Sequence, residues 1–373
     1  IRQFSTGNGT NPQDIAFRSP TKAYVPLYDR NEILIVDPST GSLTGSIDLT
    51  ALADADGYCE VSRVFIRHDI LFATVQRLDR TAYWGPSGDS YIAVIDCAAD
   101  TLIDTDPYTP GIQPILLTGS NPFSELVYDP GTGDLLVSCV GWWGMQDGGI
   151  EAIDIDDLSS NGFILTESAA GGDINDFQVV DGSTGYAVVT NASFHTELID
   201  FDPAAGTRGS TIYAPGAYVI NDIELSPGGE LFLADQSVTS PGIRIYDAAT
   251  GVETTTSPIS TGLPPFNITF SNTETSSTTP RAASRLENCY PNPFNPVTTI
   301  VYDLAGPSAV RMEIFDVNGA KVRRLEDVEQ AAGRHKVVWD GSDDSGRPCV
   351  SGIYFLRFMA GGKTDSRKLV LMR

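Results

Sequence analysis

A chain of 373 residues has room for two domains or one large β-fold, each with its own core. Its formal charge of −24 is unevenly held: the first 270 residues carry ten Lys and Arg against 36 Asp and Glu, the last 103 fourteen against twelve. A front half this acidic repels phosphate backbones and anionic lipid, which argues against nucleic acid as a partner, and no apolar run reaches transmembrane length. Cys59, Cys97, Cys139, Cys289 and Cys349 form no CxxC pair and no zinc spacing. The first three sit in strand-like runs as small buried hydrophobes, while Cys289 and Cys349 share the tail and could pair if oxidised. The chain opens at Ile1 without Met or a signal peptide, as a mature form or a fragment does.

In chain order, five segments share one four-strand grammar. A first strand reads Asp14–Phe17, Ser62–Ile66, Ser124–Tyr128, Asp176–Val180 and Asp222–Leu225, followed by turns such as Asp129-Pro-Gly-Thr-Gly133 whose Gly, Pro and Asp preset the backbone. A second strand, clearest in Leu71–Val75 and Tyr186–Thr190, is largely apolar. A third ends in Asp at 37, 96, 154, 202 and 247, and a more polar fourth follows. The period of 45 to 59 residues, four strands to a unit and no helical pattern, predicts an all-β fold: a β-propeller over residues 1–270. A long β-sandwich would not impose that period. In its weak motifs the repeat resembles YVTN and NHL propellers, an expectation about fold alone.

Both ends of this region look like parts of one further blade. Residues 1–7 resemble Ser257–Gly262, a fourth strand, and Pro265–Phe270 resembles a first. Propellers often close by building one blade from both termini. The five repeats therefore read as part of a ring of six or more blades lacking residues upstream of Ile1, with five blades and two frayed strands as the alternative. Residues 271–285, rich in Ser and Thr, read as a flexible linker.

The tail, 286–373, alternates as half-buried strands at Thr299–Leu304, Val310–Phe315, Lys336–Trp339, Gly352–Phe358 and Ser366–Leu371, enough for a small sandwich of about seven strands. Pro291, Pro293 and Pro296 fix an extended lead-in. Trp339 and Tyr354 read as core aromatics, and Asp340 and Asp344 as brackets of a turn. Several motifs occur in order: Tyr290-Pro291-Asn292-Pro293-Phe294-Asn295-Pro296, then Gly333-x-His335-x-x-x-Trp339-Asp340-Gly341, then Gly352-Ile-Tyr354, then Lys368-Leu-Val-Leu371. In these the tail resembles the type IX secretion C-terminal sorting domain, an immunoglobulin-like module of FlgD type. The resemblance covers about a quarter of the chain; Cys289 and Cys349-Val350 depart from its commoner residues. It implies export through the periplasm, recognition by the type IX secretion machinery, and a secreted or outer-membrane surface-attached destination.

Chemistry is harder to find. His68, His195 and His335 lie far apart, and there is no nucleophile elbow, HExxH or phosphate-loop pattern, so no catalytic residue, cofactor or metal is assigned. Asp54-Ala-Asp56-Gly57 with Glu60 holds part of a calcium loop without its spacing, and reads as a polar connection. One cluster stands out. Tyr83-Trp84 and Trp142-Trp143 occupy loops between second and third strands of neighbouring units, and a propeller places those loops on the same face as Tyr58. Tyr58, Tyr83, Trp84, Trp142 and Trp143 therefore form a candidate stacking rim for a glycan or protein ligand; local packing is the competing reading. The function expected is a non-enzymatic binding or scaffold protein. The alternative is a secreted propeller hydrolase or lyase acting on a polysaccharide or peptide through funnel carboxylates.

Overall fold

The computed structural model describes residues 3–270, 284–304, 306–331 and 333–373. It divides into two compact units, 1–271 and 272–373. The expected linker falls outside the described residues but for its last two.

In the first unit, five antiparallel sheets follow one another, each with its strands ordered as in the sequence. The first runs Ala16–Ser19, Lys22–Leu27, Glu32–Asp37, Ser42–Asp48, and the fifth runs Ile220–Leu225, Glu230–Asp235, Gly242–Asp247, Val252–Glu253. The second sheet carries a fifth strand, Ile115–Leu116, paired to Tyr91–Asp96. The burial gradient across each sheet is that of blades packed face to face. Second strands are covered on both sides, so Ile70–Val75 is buried at every residue, whereas the fourth strand Ser42–Asp48 is buried only at Ile47. That is why the second strands read as largely apolar runs and the fourth as polar. Cys59, Cys97 and Cys139 are free and fully buried in this packing.

Successive blades are joined at their inner strands by a repeated bond. Asp14 Oδ2 accepts from Val64 N–H of the second blade at 3.0 Å, and Asp176 Oδ2 accepts from Ile223 N–H of the fifth at 2.8 Å. Asp222 in turn accepts from Ile268 N–H at 2.6 Å. A second contact recurs in step: Gln76 Nε2 donates to Pro122 O at 3.0 Å and Gln236 Nε2 to Pro265 O at 2.9 Å. Residues 265–270 thus stand beside the fifth blade as a first strand stands beside its predecessor, with Phe270 edge-on to Phe232 at 5.0 Å. At the other end, residues 3–7 join no strand among the described residues; Phe4 packs on the blade-one face made by Ala23, Val25, Leu27, Leu34 and Val36.

The second unit is a seven-stranded sandwich. One sheet pairs Arg285–Tyr290, Thr298–Leu304 and Gly333–Trp339; the other orders Lys321–Gln330, Ser308–Asp316, Gly352–Ala360 and Lys363–Leu371. Trp339 is fully buried, 5.2 Å from Phe294 and 5.1 Å from Tyr354, so both expected core aromatics are in the core. No disulfide joins Cys289 and Cys349. The turn expectation needs one correction. Asp340 does cap its turn, taking Ser342 N–H at 3.0 Å. The following turn is held by Asp343, which accepts from Ser345 and Arg347, while Asp344 reaches out to Arg324 N–H of the neighbouring strand.

Candidate binding face

Antiparallel order brings the end of each second strand and the start of each first strand to the same end of the blade. The connections there are where the exposed rings gather. Tyr83, Trp84 and Trp143 line one cavity of about 300 Å³ together with Tyr28, Phe123, Gln76 and Arg63. Tyr83 is almost wholly exposed at 96% and Trp84 and Trp143 about half exposed, at 45% and 49%. Tyr28 stacks on Trp84 at 6.2 Å, and Phe123 meets Trp143 edge-on at 5.1 Å.

The other two rim residues sit apart from that cavity. Tyr58 lines a polar groove with Asp29, Asp48, Asp56 and Arg80. Trp142 lies on the neighbouring blade's Gly85, where a Cβ would come within 1.9 Å of the indole; Gly85 is needed for that approach. Arg80 organises the group. Its guanidinium lies 3.7 Å from the Tyr58 ring and 5.0 Å from Trp84. Glu60, fully buried, takes its Nε at 2.6 Å and Asp29 its Nη1 at 2.9 Å. The fragment of a calcium loop is spoken for in the same way: Asp56 accepts from Tyr58 and Arg80 N–H, and Asp54 from Asp56 N–H.

A second cavity, of about 500 Å³, shares Gln13, Arg63 and Phe123 with the first. Its wall carries one residue from the equivalent place on each inner strand: Asp14, Arg63, Glu125, Asp176, Asp222 and, from the strand after the fifth blade, Asn267. Arg63 reaches Glu125 at 3.9 Å, and Asn267 Nδ2 reaches Glu125 across the cavity at 3.3 Å. Burial pushes Asp222 up to about 6. It also holds Asp176 well above the usual carboxylate range, with the charge of Asp222 adding to the effect.

Sequence reasoning missed the rest of the collar. Tyr218 and Phe266 line the funnel, exposed at 67% and 73%, and Phe194 stacks on Tyr218 at 6.1 Å. Four of these rings stand on left-handed backbone: Tyr83 (φ 60), Trp84 (φ 59), Phe194 (φ 61) and Tyr218 (φ 53). Bulky residues avoid that region at a cost on the order of 1 kcal/mol each. Isolated rings in Ser- and Gly-bearing loops gave no signal of their own; the repeat frame, which puts residue 194 where Trp84 and Trp143 fall, would have found Phe194.

In the sandwich, the signature residues from the two ends of the sequence meet. Asn292 Nδ2 donates to Lys368 O at 2.9 Å while its Oδ1 accepts from Val370 N–H at 2.7 Å. Phe294 N–H then donates to Val370 O, and Met372 N–H to Phe294 O, each at 2.9 Å. Gly341 (φ 65) passes under Pro296, whose carbonyl a Cβ would meet at 2.9 Å. Trp339 Nε1 donates to Ser342 O, Tyr354 Oη to Val350 O, and His335 stacks on Tyr302 at 5.4 Å. Tyr290 pairs with Thr299 and Gly333 with Leu304 through backbone. Pro291, Asn295, Pro296, Gly352 and Lys368 stay exposed.

Among known proteins, the FlgD Ig-like domain family matches residues 296–362. No curated protein matches the chain. Solved structures similar to it include PorZ, a surface component of the type IX secretion system of Porphyromonas gingivalis, at 16% identity and TM-score 0.45 over 98% of this chain and 53% of that one. The chain thus spans about half the length of PorZ. The Dos1 propeller is similar at 10% identity and TM-score 0.44, over 90% of this chain and 79% of that one. The RRP9 WD40 repeats are similar at 10% identity and TM-score 0.41, over 66% and 63%.

Proposed function

We propose that this is an exported binding protein, secreted or held at the outer-membrane surface, whose propeller contacts a glycan or protein ligand without chemistry and whose sandwich is its type IX sorting module. The observation that carries the first half is the aromatic collar. Rings from the second, third and fourth blades and from the connections between blades stand exposed on one face, four of them on strained backbone, around adjoining cavities. Strain kept at exposed loop tips is what a contact surface shows and what packing alone does not need. For the second half, support comes from the signature itself. Its opening and closing motifs clip together through Asn292 and Phe294, so a machine reading this module meets both ends of it in one place.

The secreted-enzyme alternative would use Asp176 and Asp222, whose raised affinity for protons suits a general acid. Their Oδ2 atoms are already taken by Ile223 and Ile268 N–H, in the bond that Asp14 makes to Val64. A role repeated from blade to blade belongs to the scaffold rather than to one reaction. The test is ligand binding on glycan and peptide arrays with the intact chain and with Trp84→Ala and Trp143→Ala. Each substitution is expected to weaken binding tenfold or more (about 1.4 kcal/mol) while leaving the thermal midpoint nearly unchanged. Binding that survives both substitutions rules the collar out.

A further inference from the structure

We propose that the funnel takes a cationic side chain, a lysine or arginine of a peptide ligand, between the aromatic rings at its mouth and the carboxylates of the inner strands; the inference rests on the collar being the contact face. Of the six equivalent inner-strand residues on the wall, Asp14, Glu125, Asp176 and Asp222 are carboxylates and Arg63 is the single cation. That one guanidinium approaches Glu125 no closer than 3.9 Å, and the remaining lining groups include the neutral Asn175, Asn221 and Thr196. Such a wall repels an anion, and a neutral sugar leaves its charge uncompensated. A cation corrects the imbalance. Burial raises the proton affinity of Asp176 and Asp222, and the nearby charge of Glu125 raises it further.

The fold already solves this recognition problem elsewhere, with its own side chains. Arg80 sits 3.7 Å from the Tyr58 ring with Glu60 and Asp29 on its nitrogens. Arg244 sits 4.4 Å from Tyr213, bonded to the fully buried Asp235 and to Glu253. An aromatic face beside a carboxylate is thus the setting in which this protein holds guanidinium groups, by cation–π and charge-assisted contact together. Phe123, Tyr218 and Phe266 line the same cavity as Glu125 and Asp222, so rings and carboxylates are again offered together. Glu125 is the partner most accessible to a ligand, its side chain 45% exposed.

The intact chain is titrated with acetyl-Gly-Lys-Gly-amide, with the same peptide acetylated at the lysine Nζ, and with a neutral oligosaccharide, by calorimetry and by Trp fluorescence. The free lysine peptide is expected to bind about tenfold or more tightly than its acetylated form, the size of a desolvated cation–π contact. Glu125→Gln is expected to weaken it about fivefold and Trp143→Ala to remove the fluorescence change. Equal binding of the two peptides, or oligosaccharide binding alone, with either still sensitive to Trp143→Ala, overturns the cation inference and leaves the collar standing. Lysine-peptide binding indifferent to Glu125→Gln also overturns it, marking diffuse attraction to an acidic surface. No binding by any of the three at millimolar concentration removes both.

Discussion

Glu167 ties the loop that carries Trp142 and Trp143 to the fourth blade. Its Oε2 accepts from Gly148 N–H at the end of that loop, and its Oε1 from Ile174 N–H in the strand Asp173–Asp181, each at 3.0 Å. Asp173 adds a second tie, taking Gly144 N–H at 2.7 Å. Burial pushes Glu167 up to about 7. A carboxyl whose folded value lies above its unfolded one holds its proton more tightly in the native state. Its contribution to stability is therefore complete below about 4.5 and is lost as pH rises through about 7. For a fully buried group that interval corresponds to about 3 kcal/mol. Urea midpoints measured from pH 4.5 to 8 should fall across this window, and Glu167→Gln should flatten the slope whatever its own stability. An unchanged slope in the variant would assign the pH dependence to other carboxyls. None of this is legible in Thr166-Glu167-Ser168, an ordinary polar stretch at the start of a one-turn helix; burial is conferred by the blades on either side.

At the scale of elements, what the sequence made readable was the frame. Asp at the end of every third strand and largely apolar second strands follow from radial packing, so they recur and can be counted. Edges were harder. The first strand of the third blade, expected at Ser124–Tyr128, is a ladder only at Val127–Tyr128, because Ser124 spends its hydroxyl on Ser138 N–H. Lys321–Gln330 escaped notice altogether: it is an edge strand with no fully buried residue and dense in charge, as edges in soluble sheets tend to be. The inner-strand bonds between blades were invisible as bonds, although Asp14, Asp176 and Asp222 stand at one place in their repeats. They make a prediction about residues 265–270. Ile268→Pro deletes the N–H that Asp222 accepts and nothing in a ladder, so it should cost about 1–3 kcal/mol and speed amide exchange at 266–270 selectively. Val64→Pro, within a paired strand, should instead destabilise the whole propeller. Unchanged stability and unchanged exchange at 266–270 in Ile268→Pro would mean that the bond to Asp222 does not hold this segment to the fifth blade.

For the whole molecule, the division into two compact units can be put to the test through the placement of its tryptophans. Trp84, Trp142 and Trp143 are about half exposed on the propeller rim, and Trp339 is fully buried in the sandwich. Replacing the three rim residues by Phe leaves Trp339 as the reporter of the sandwich alone, with the blue-shifted emission of a buried indole. Far-ultraviolet circular dichroism still follows every strand of both units. The two have separate cores: Tyr24, Ile33 and Leu71 belong to one of several clusters in the propeller, and Trp339, Phe294 and Phe358 to a cluster in the sandwich. Units that bury their apolar surfaces separately are expected to unfold separately. In guanidinium, the Trp339 transition should therefore be steep and single, while the circular dichroism curve shows an additional transition that fluorescence does not follow. Superimposable curves at every denaturant concentration would make the protein one cooperative body, and a sandwich that cannot hold its fold alone could not serve as a transferable export module.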